Sequence, residues 1–286
     1  IHHRLVGSEM CIRDSMRAGE VQGVSEIQNT SISELASQMV GREVFLQVKK
    51  DEAKPGEEIL NVEDLWVHDA RGLLAVKGIN LNIKKGEIVG IAGVEGNGQS
   101  EFVEALTGLR KTSQGNIKYL GEDIASSSPK NIRRKKIAHI PEDRTNTGLN
   151  TQLSIWENLI GNSYFRRPLS TRGIFNLKKV AEHSNRLKED FDIRAPNISL
   201  KVKSLSGGNQ QKVVVARELS EDPVLTIASQ PTRGVDIGNI EAIHEQLVQM
   251  RDEGGAVLLV SAELDEVMAV ADRVAVMLSL IHISEP

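Results

Sequence analysis

The sequence predicts an α/β protein built around a mostly parallel sheet. Four short apolar runs rich in β-branched residues have the length of buried strands, and they span residues 87–92, 137–140, 224–228 and 256–261. Segments with helical periodicity separate these runs, as in the spacing of Ile240, Ile243 and Leu247. An alternation of strands and helices gives a parallel sheet that is covered by helices on both faces.

Composition excludes several classes of protein. The 286 residues carry 35 lysines and arginines against 39 aspartates and glutamates, a net charge of −4, and only 3% are aromatic. We therefore expect no nucleic acid among the partners. The single cysteine, Cys11, provides no disulfide framework. The longest apolar stretch, 274–283, is shorter than the roughly 20 residues that span a bilayer.

Both ends of the chain differ from the rest. Residues 1–15 and 278–286 resemble translated read-through of a sequencing adapter. They do not resemble a secretory signal, which has a longer apolar core and a small-residue cleavage site. A disordered native tail is the alternative interpretation.

A short helix and a charged linker are expected before the first strand of the α/β region. Ser31 and Glu34 have the spacing of a capping box at the start of a helix, and Gly41 is a plausible end. Residues 49–58 are charged and contain Pro55 and a glycine, which is typical of a linker.

A glycine-rich turn, GVEGNGQS, follows the first predicted strand of the parallel sheet and precedes an apolar helix. In this context backbone N–H groups and a helix N-terminus can hold phosphate. Gln99 stands where the phosphate-loop pattern has lysine, so the turn alone is also compatible with an ordinary strand-to-helix connection. The residues expected to contact nucleotide are Gly93, Glu95, Gly96, Asn97, Gly98, Gln99, Ser100 and Glu101.

A second motif, LSGGNQQ, opens a later helix. It consists of Leu205, Ser206, Gly207, Gly208, Asn209, Gln210 and Gln211. This motif resembles the signature of ATP-binding-cassette (ABC) ATPases. The order of motifs also matches that family, because residues 222–236 resemble the Walker B strand, the catalytic position and the D-loop with Asp236. The resemblance covers about residues 59–277.

The resemblance implies an ABC-type P-loop NTPase fold with a helical subdomain at about 143–203 and a small antiparallel β part. PEDR, QPTRGVD and GVEGNGQS together resemble the second cassette of tandem ATPases that energise sugar and nucleoside importers, closest to bacterial general nucleoside importers. Residues 16–58 then resemble the end of a first cassette and the connection to the second. Three alternative functions remain. The chain could belong to a sugar importer, to a non-transport tandem-cassette protein acting on ribosomes or DNA, or to a regulatory module that only binds nucleotide.

The same resemblance implies cofactors, partners and a location. ATP and Mg²⁺ would be the cofactors, with Ser100 as a magnesium ligand. The partners would be the first cassette of the same polypeptide, transmembrane permease subunits and, indirectly, a substrate-binding lipoprotein. The protein would lie peripherally on the cytoplasmic face of the membrane.

Five positions depart from the family pattern. Gln99 replaces the phosphate-binding lysine, Ser229 occupies the Walker B carboxylate position, and Glu142 occupies the Q-loop position. Gln230 stands at the catalytic glutamate position and Ala262 at the switch-histidine position. An amide does not accept a proton at neutral pH. We therefore expect ATP binding without useful turnover, while the intact signature serves the other cassette.

Two weaker patterns remain. Trp66 and His68 lie near the usual position of the adenine-stacking aromatic residue, and the sequence does not choose between them. The basic cluster between Lys130 and Lys136 is interpreted as a solvated face, because the net charge is negative.

Overall fold

The computed structural model describes residues 12–17, 19–26, 30–41, 48 and 50–278. The expectations for residues 1–11 and 279–286, including Cys11, concern residues outside these ranges. The predicted boundary of the amino-terminal extension at residue 15 falls within a described strand.

The elements are numbered in chain order. The strands are β1 (Ile12–Arg17), β2 (Glu20–Glu26), β3 (Glu58–His68), β4 (Leu74–Lys84), β5 (Ile88–Ala92), β6 (Gln114–Tyr119), β7 (Glu122–Asp123), β8 (Ile137–Ile140), β9 (Ser170–Thr171), β10 (Ile174–Phe175), β11 (Leu225–Ser229), β12 (Ala256–Ser261) and β13 (Arg273–Val276). The helices are α1 (Ile32–Val40), α2 (Gln99–Leu106), α3 (Pro129–Arg134), α4 (Ile155–Leu159), α5 (Leu177–Asp190), α6 (Gly207–Leu219), α7 (Ile237–Asp252) and α8 (Leu264–Val270).

The central sheet has the strand order β13-β5-β12-β11-β8, and each pair of neighbours is parallel. Every residue of β5, β11 and β12 is buried, as the apolar runs predicted. The four predicted strands are therefore confirmed, with β5 and β11 each starting one residue later than expected. The edge strand β13 was not predicted, although its apolar residues begin the stretch 274–283; in the structure this strand is largely exposed.

A second, antiparallel sheet has the order β4-β3-β6-β7. It packs with α2 against one face of the parallel sheet, and this core includes Leu65, Phe102 and Leu258. The other face is covered by α6, α7 and α8 in a second core that includes Val214, Leu247 and Val267. The expected fold, a parallel core with a small antiparallel part, is confirmed.

The segment 143–203 contains one turn of π-helix at Arg144–Gly148, then α4, the β9-β10 hairpin and α5. The hairpin was not expected from the mainly helical pattern. Leu159 and Leu187 of this segment share a core with α6 and the parallel sheet. The division of the chain into a separate helical subdomain stays a prediction.

The amino-terminal helix α1 has the predicted ends. The Ser31 side chain accepts a hydrogen bond from the Glu34 N–H, and Gly41 adopts a left-handed conformation with φ of 84°. Further along, the Lys50 ammonium donates to the carbonyls of Val270 and Ala271 at 2.8 and 2.7 Å. Lys50 is therefore held at the carboxyl-terminal end of α8.

A buried charged cluster joins α6 to neighbouring elements. The Glu218 carboxylate, in a residue that is 3% exposed, accepts hydrogen bonds from Arg133 at 2.7 Å, Asn162 at 2.9 Å and Arg217 at 2.9 Å. Burial acts to raise the pKa of Glu218, but the two guanidinium groups and the hydrogen bonds outweigh it and hold the pKa below its usual range.

His139 in β8 makes the stability of the fold sensitive to mild acid. Burial lowers the pKa of His139 from 6.5 to about 4, against an opposing effect of the Glu218 carboxylate. Between these values only the unfolded chain takes up the proton, so this contribution is complete above pH 6.5 and is lost as the pH falls towards 4. We expect His139→Gln to make the free energy of unfolding less dependent on pH. Between pH 6.5 and 4.5 this variant should lose about 2 kcal/mol less of that free energy than the parent.

Urea titrations at several pH values would measure this effect. His68→Gln, at an exposed histidine, is the matched control and should keep the parent slope. If the free energy of unfolding of His139→Gln depended on pH as strongly as that of the parent, the assignment of this effect to His139 would be contradicted.

Candidate functional site

The register of the parallel sheet brings distant parts of the sequence to one edge. Ala92 at the end of β5 lies opposite Ser261 of β12, and Val260 lies opposite Ser229 of β11. Because the strands are parallel, their carboxyl ends and the loops that follow them meet at this edge, which is where α/β sheets bind ligands.

A cleft of about 160 Å³ opens at this edge. Its lining residues are Gly93, Glu95, Gly96, Gln99, Ser100, Glu142, Ser229, Gln230, Val260, Ser261 and Ala262. The phosphate-loop, Q-loop, Walker B, catalytic and switch positions therefore share one cleft. Of the residues expected to contact nucleotide, Asn97, Gly98 and Glu101 do not line it. Val260 and Ser261 were not predicted as site residues, although the end of a predicted strand is the signal that marks them.

The glycine-rich loop folds tightly around the Gln99 side chain. Gln99 is only 8% exposed. Its amide oxygen accepts the Asn97 N–H at 3.0 Å and its amide nitrogen donates to the Val94 carbonyl at 2.9 Å. A Cβ at Gly93 would lie 2.5 Å from that nitrogen, so only glycine allows the approach. The glutamine thus binds the backbone of the loop on both sides.

The catalytic and switch positions are joined by direct contacts. Gln230 has a φ of 46°, its N–H donates to the Val260 carbonyl at 2.8 Å, and its amide oxygen accepts the Ala262 N–H at 3.3 Å. The Ser229 hydroxyl is buried and has no hydrogen-bond partner. A buried polar atom without a partner is costly, so this hydroxyl at the cleft wall suits an oxygen ligand or a hydrated cation.

The charges at the mouth of the cleft form a small network. Arg233 lies 3.0 Å from the Glu95 carboxylate and also pairs with the Glu142 carboxylate. All three side chains are partly exposed. Among the described residues that line the cleft, none is a lysine or an arginine.

A buried carboxylate anchors the loop after β11. Glu266 of α8 accepts hydrogen bonds from the Thr232 hydroxyl at 2.7 Å and lies 3.0 Å from the His244 ring nitrogen. Burial acts to raise the pKa of Glu266, but its hydrogen bonds with His244, Ser261 and Thr232 outweigh it and lower the pKa. These contacts therefore fix the position of the loop after β11 relative to α7 and α8.

The signature lies outside the lining of the cleft. Ser206 caps α6, is exposed, and accepts a hydrogen bond from the Asn209 side chain at 3.0 Å. Asp236 caps α7 through the Asn239 N–H. A Cβ at Gly208 would lie 2.2 Å from the Asn239 side chain, so the signature packs directly against the start of α7. The D-loop position and the signature are thus neighbours, and neither lines the cleft of the phosphate loop.

The donor set at the cleft fits a magnesium nucleotide. A glycine loop at a helix N-terminus suits phosphate, while the hydroxyls of Ser100 and Ser229 and the carboxylate of Glu142 are hard oxygen donors of the kind that Mg²⁺ prefers. No group of three or more His, Cys, Asp or Glu side chains in the described part of the chain is arranged to hold a metal by itself. The nucleotide phosphates would have to complete the coordination.

The adenine position stays a prediction. The Trp66 indole donates to the Asp64 carboxylate at 2.8 Å, and His68 is exposed. Neither Trp66 nor His68 lines the cleft.

Over the described residues, no helix is both long and apolar enough to cross a membrane.

The chain belongs to the ABC transporter family, because residues 76–233, more than half of its length, match the model of that family. ATP hydrolysis is the expected activity of this family. Among relatives, the chain is 44% identical to the nucleoside import ATP-binding protein NupA of Lactococcus lactis subsp. cremoris over 261 residues, 91% of this chain and 52% of the relative. It is also 44% identical to the guanosine import ATP-binding protein NupO of Bacillus subtilis, over 91% of this chain and 51% of the relative.

A further relative and a solved structure are also similar to this chain. The ribose import ATP-binding protein RbsA of Geobacillus kaustophilus is 35% identical over 93% of this chain and 53% of the relative. The chain thus spans about half the length of the curated relatives that it matches. The dimeric ABC transporter cassette MJ0796 superposes with a TM-score of 0.67 over 77% of this chain and 94% of that chain, at 24% identity, which shows the shared fold.

Proposed function

We propose that this chain is one ATP-binding half of a protein that energises an importer of nucleosides. The observation that carries the proposal is an asymmetry between two sites. The phosphate cleft contains residues of the phosphate loop and the Q-loop, Walker B, catalytic and switch positions, but the expected lysine, Walker B carboxylate, catalytic glutamate and switch histidine are all replaced. The signature, in contrast, has all its expected residues, and its Ser206 is exposed at the start of α6.

The cleft would bind ATP with Mg²⁺ without hydrolysing it at a useful rate. Bound Mg²⁺ would neutralise phosphate charge, and we propose Ser100 as a ligand of this ion. Gln230 cannot remove a proton from water, because an amide is not a base at neutral pH. Its amide oxygen is also engaged by the Ala262 N–H. The nucleotide would therefore serve as a structural ligand.

The signature would complete an active site on a different cassette. The N–H groups at the start of α6 and the positive end of the helix dipole favour a phosphate of a nucleotide held by a facing phosphate loop. We propose that this loop belongs to a first cassette of the same polypeptide, since this chain matches only about half the length of the curated relatives.

The relatives support the proposed cargo. The proposal favours nucleosides over sugars because the nucleoside and guanosine import proteins are 44% identical and the ribose import protein is 35% identical. Transmembrane permease subunits and, indirectly, a substrate-binding lipoprotein would be the partners. The cassette would lie peripherally on the cytoplasmic face of the membrane.

Uptake in cells tests this function. The full-length protein would be expressed with its permease in a strain that lacks nucleoside uptake, and labelled guanosine and labelled ribose would be supplied in parallel. We expect guanosine uptake at least tenfold above the strain without the ATP-binding protein, and ribose uptake at background. Uptake of ribose alone would favour the sugar importer, and uptake of neither would contradict an importer for these two cargoes.

A further inference from the structure

We infer that Arg233 supplies the positive charge that the phosphate loop lacks, by moving its guanidinium group from two carboxylates to the phosphates of the nucleotide. This inference rests on the proposed nucleotide site. It assigns a binding role to a residue whose side chain is not part of the cleft lining.

The cleft has a deficit of positive charge. Two carboxylates, Glu95 and Glu142, line it, and the described lining residues include no lysine or arginine. A nucleoside triphosphate is a polyanion, and placing it beside two carboxylates is unfavourable unless a cation lies between them. Gln99 offers only a neutral amide, and hydrogen bonds from neutral groups to phosphate are weaker than those from charged groups.

Arg233 is the cation next to this deficit. Its guanidinium contacts both carboxylates, which lie on opposite segments of the chain, the phosphate loop and the segment after β8. The Arg233 side chain is 52% exposed, so it has room to turn. A planar guanidinium also matches phosphate oxygens in a bidentate geometry.

The backbone beneath this side chain is fixed. The Arg233 N–H donates to the Gln230 carbonyl at 3.1 Å, and the Arg144 guanidinium donates to the Arg233 carbonyl at 2.7 Å. The preceding Thr232 is held by the buried Glu266. Exposed ion pairs are weak, so the guanidinium can exchange a carboxylate for a phosphate without disturbing the loop.

Calorimetric titration of this chain with ATP tests the inference. We expect Arg233→Gln to raise the Kd for ATP about tenfold, which corresponds to the loss of one charge-assisted contact. Adenosine, which has no phosphate, should bind Arg233→Gln and the parent equally. Arg134→Gln, which removes an exposed arginine from α3, is the matched control for net charge and should keep the parent affinity for ATP.

A second comparison tests whether Arg233 contacts the phosphates or only neutralises the carboxylates of Glu95 and Glu142. In a variant that carries both Glu95→Gln and Glu142→Gln, no carboxylate is left for Arg233 to neutralise. If Arg233 contacts phosphate, Arg233→Gln should still weaken ATP binding about tenfold in this background. An equal affinity with and without Arg233 in this background would overturn the inference.

A third variant distinguishes failure of the inference from failure of the proposed site. If neither the parent nor Gln99→Lys binds ATP, the proposed nucleotide site is wrong, and the role of Arg233 is wrong with it. If the parent binds ATP and Arg233→Gln binds it equally well, only the role of Arg233 is refuted. Thermal unfolding of each variant verifies that the fold is intact.

Discussion

Replacing Ser206 by arginine in the full-length protein should lower ATP hydrolysis at least 100-fold. Ser206 lies exposed at the start of α6, where an arginine side chain would block the helix N–H groups from a facing phosphate. Loss of a single oxyanion-type donor already costs about 100- to 1000-fold in rate. Gln99→Ala should lower the rate of ATP hydrolysis by less than about threefold, because in our proposal the cleft that Gln99 lines is not the one that hydrolyses ATP. Steady-state phosphate release measures both.

Helix capping needs its own control, since the Ser206 side chain also accepts the capping hydrogen bond from the Asn209 backbone N–H. Loss of such a cap costs about 1 kcal/mol of stability. Ser154→Ala removes a comparable cap from α4 and should leave the ATPase rate intact. If Gln99→Ala abolished hydrolysis while Ser206→Arg did not, the assignment of the two sites would be reversed.

Glu218→Ala should destabilise the fold by about 3–5 kcal/mol, because removing one partner of a buried ion pair leaves the other charges uncompensated. The carboxylate is buried and accepts hydrogen bonds from Arg133, Asn162 and Arg217. These donors belong to three different parts of the fold: α3, the segment after α4, and α6 itself. Chemical denaturation followed by circular dichroism gives the change in unfolding free energy.

Glu221→Ala provides the comparison for this effect. Glu221 also pairs with an arginine, Arg166, but both of those side chains are partly exposed. Exposed ion pairs contribute about 0–1 kcal/mol. If Glu218→Ala lowered the free energy of unfolding no more than Glu221→Ala does, the buried cluster would not hold these parts of the fold together.

The sequence predicts the parallel core well because its strands are buried on both faces. Continuous apolar runs mark β5, β8, β11 and β12, and each begins within one residue of its predicted start. The β9-β10 hairpin has no such signal, because strands of two residues are too short to leave a pattern. The apolar residues of β13 continue beyond the end of this strand, so the run 274–283 does not mark its bounds.

The site was predictable as a set of positions but not as a set of contacts. Motif order predicts that Gln99, Glu142 and Gln230 belong to one site, and the register of the sheet brings them to one cleft. No spacing rule indicates that Gln99 turns back onto its own loop, or that Arg233 bridges two carboxylates. These contacts depend on side-chain rotamers at the meeting of separate segments.

Helix α8 begins two residues after Ala262 at the cleft and ends where the carbonyls of Val270 and Ala271 hold Lys50. With a rise of about 1.5 Å per residue, its seven residues span about 10 Å. We therefore expect a displacement of the cleft wall at Ala262 to reach Lys50 through this single short helix.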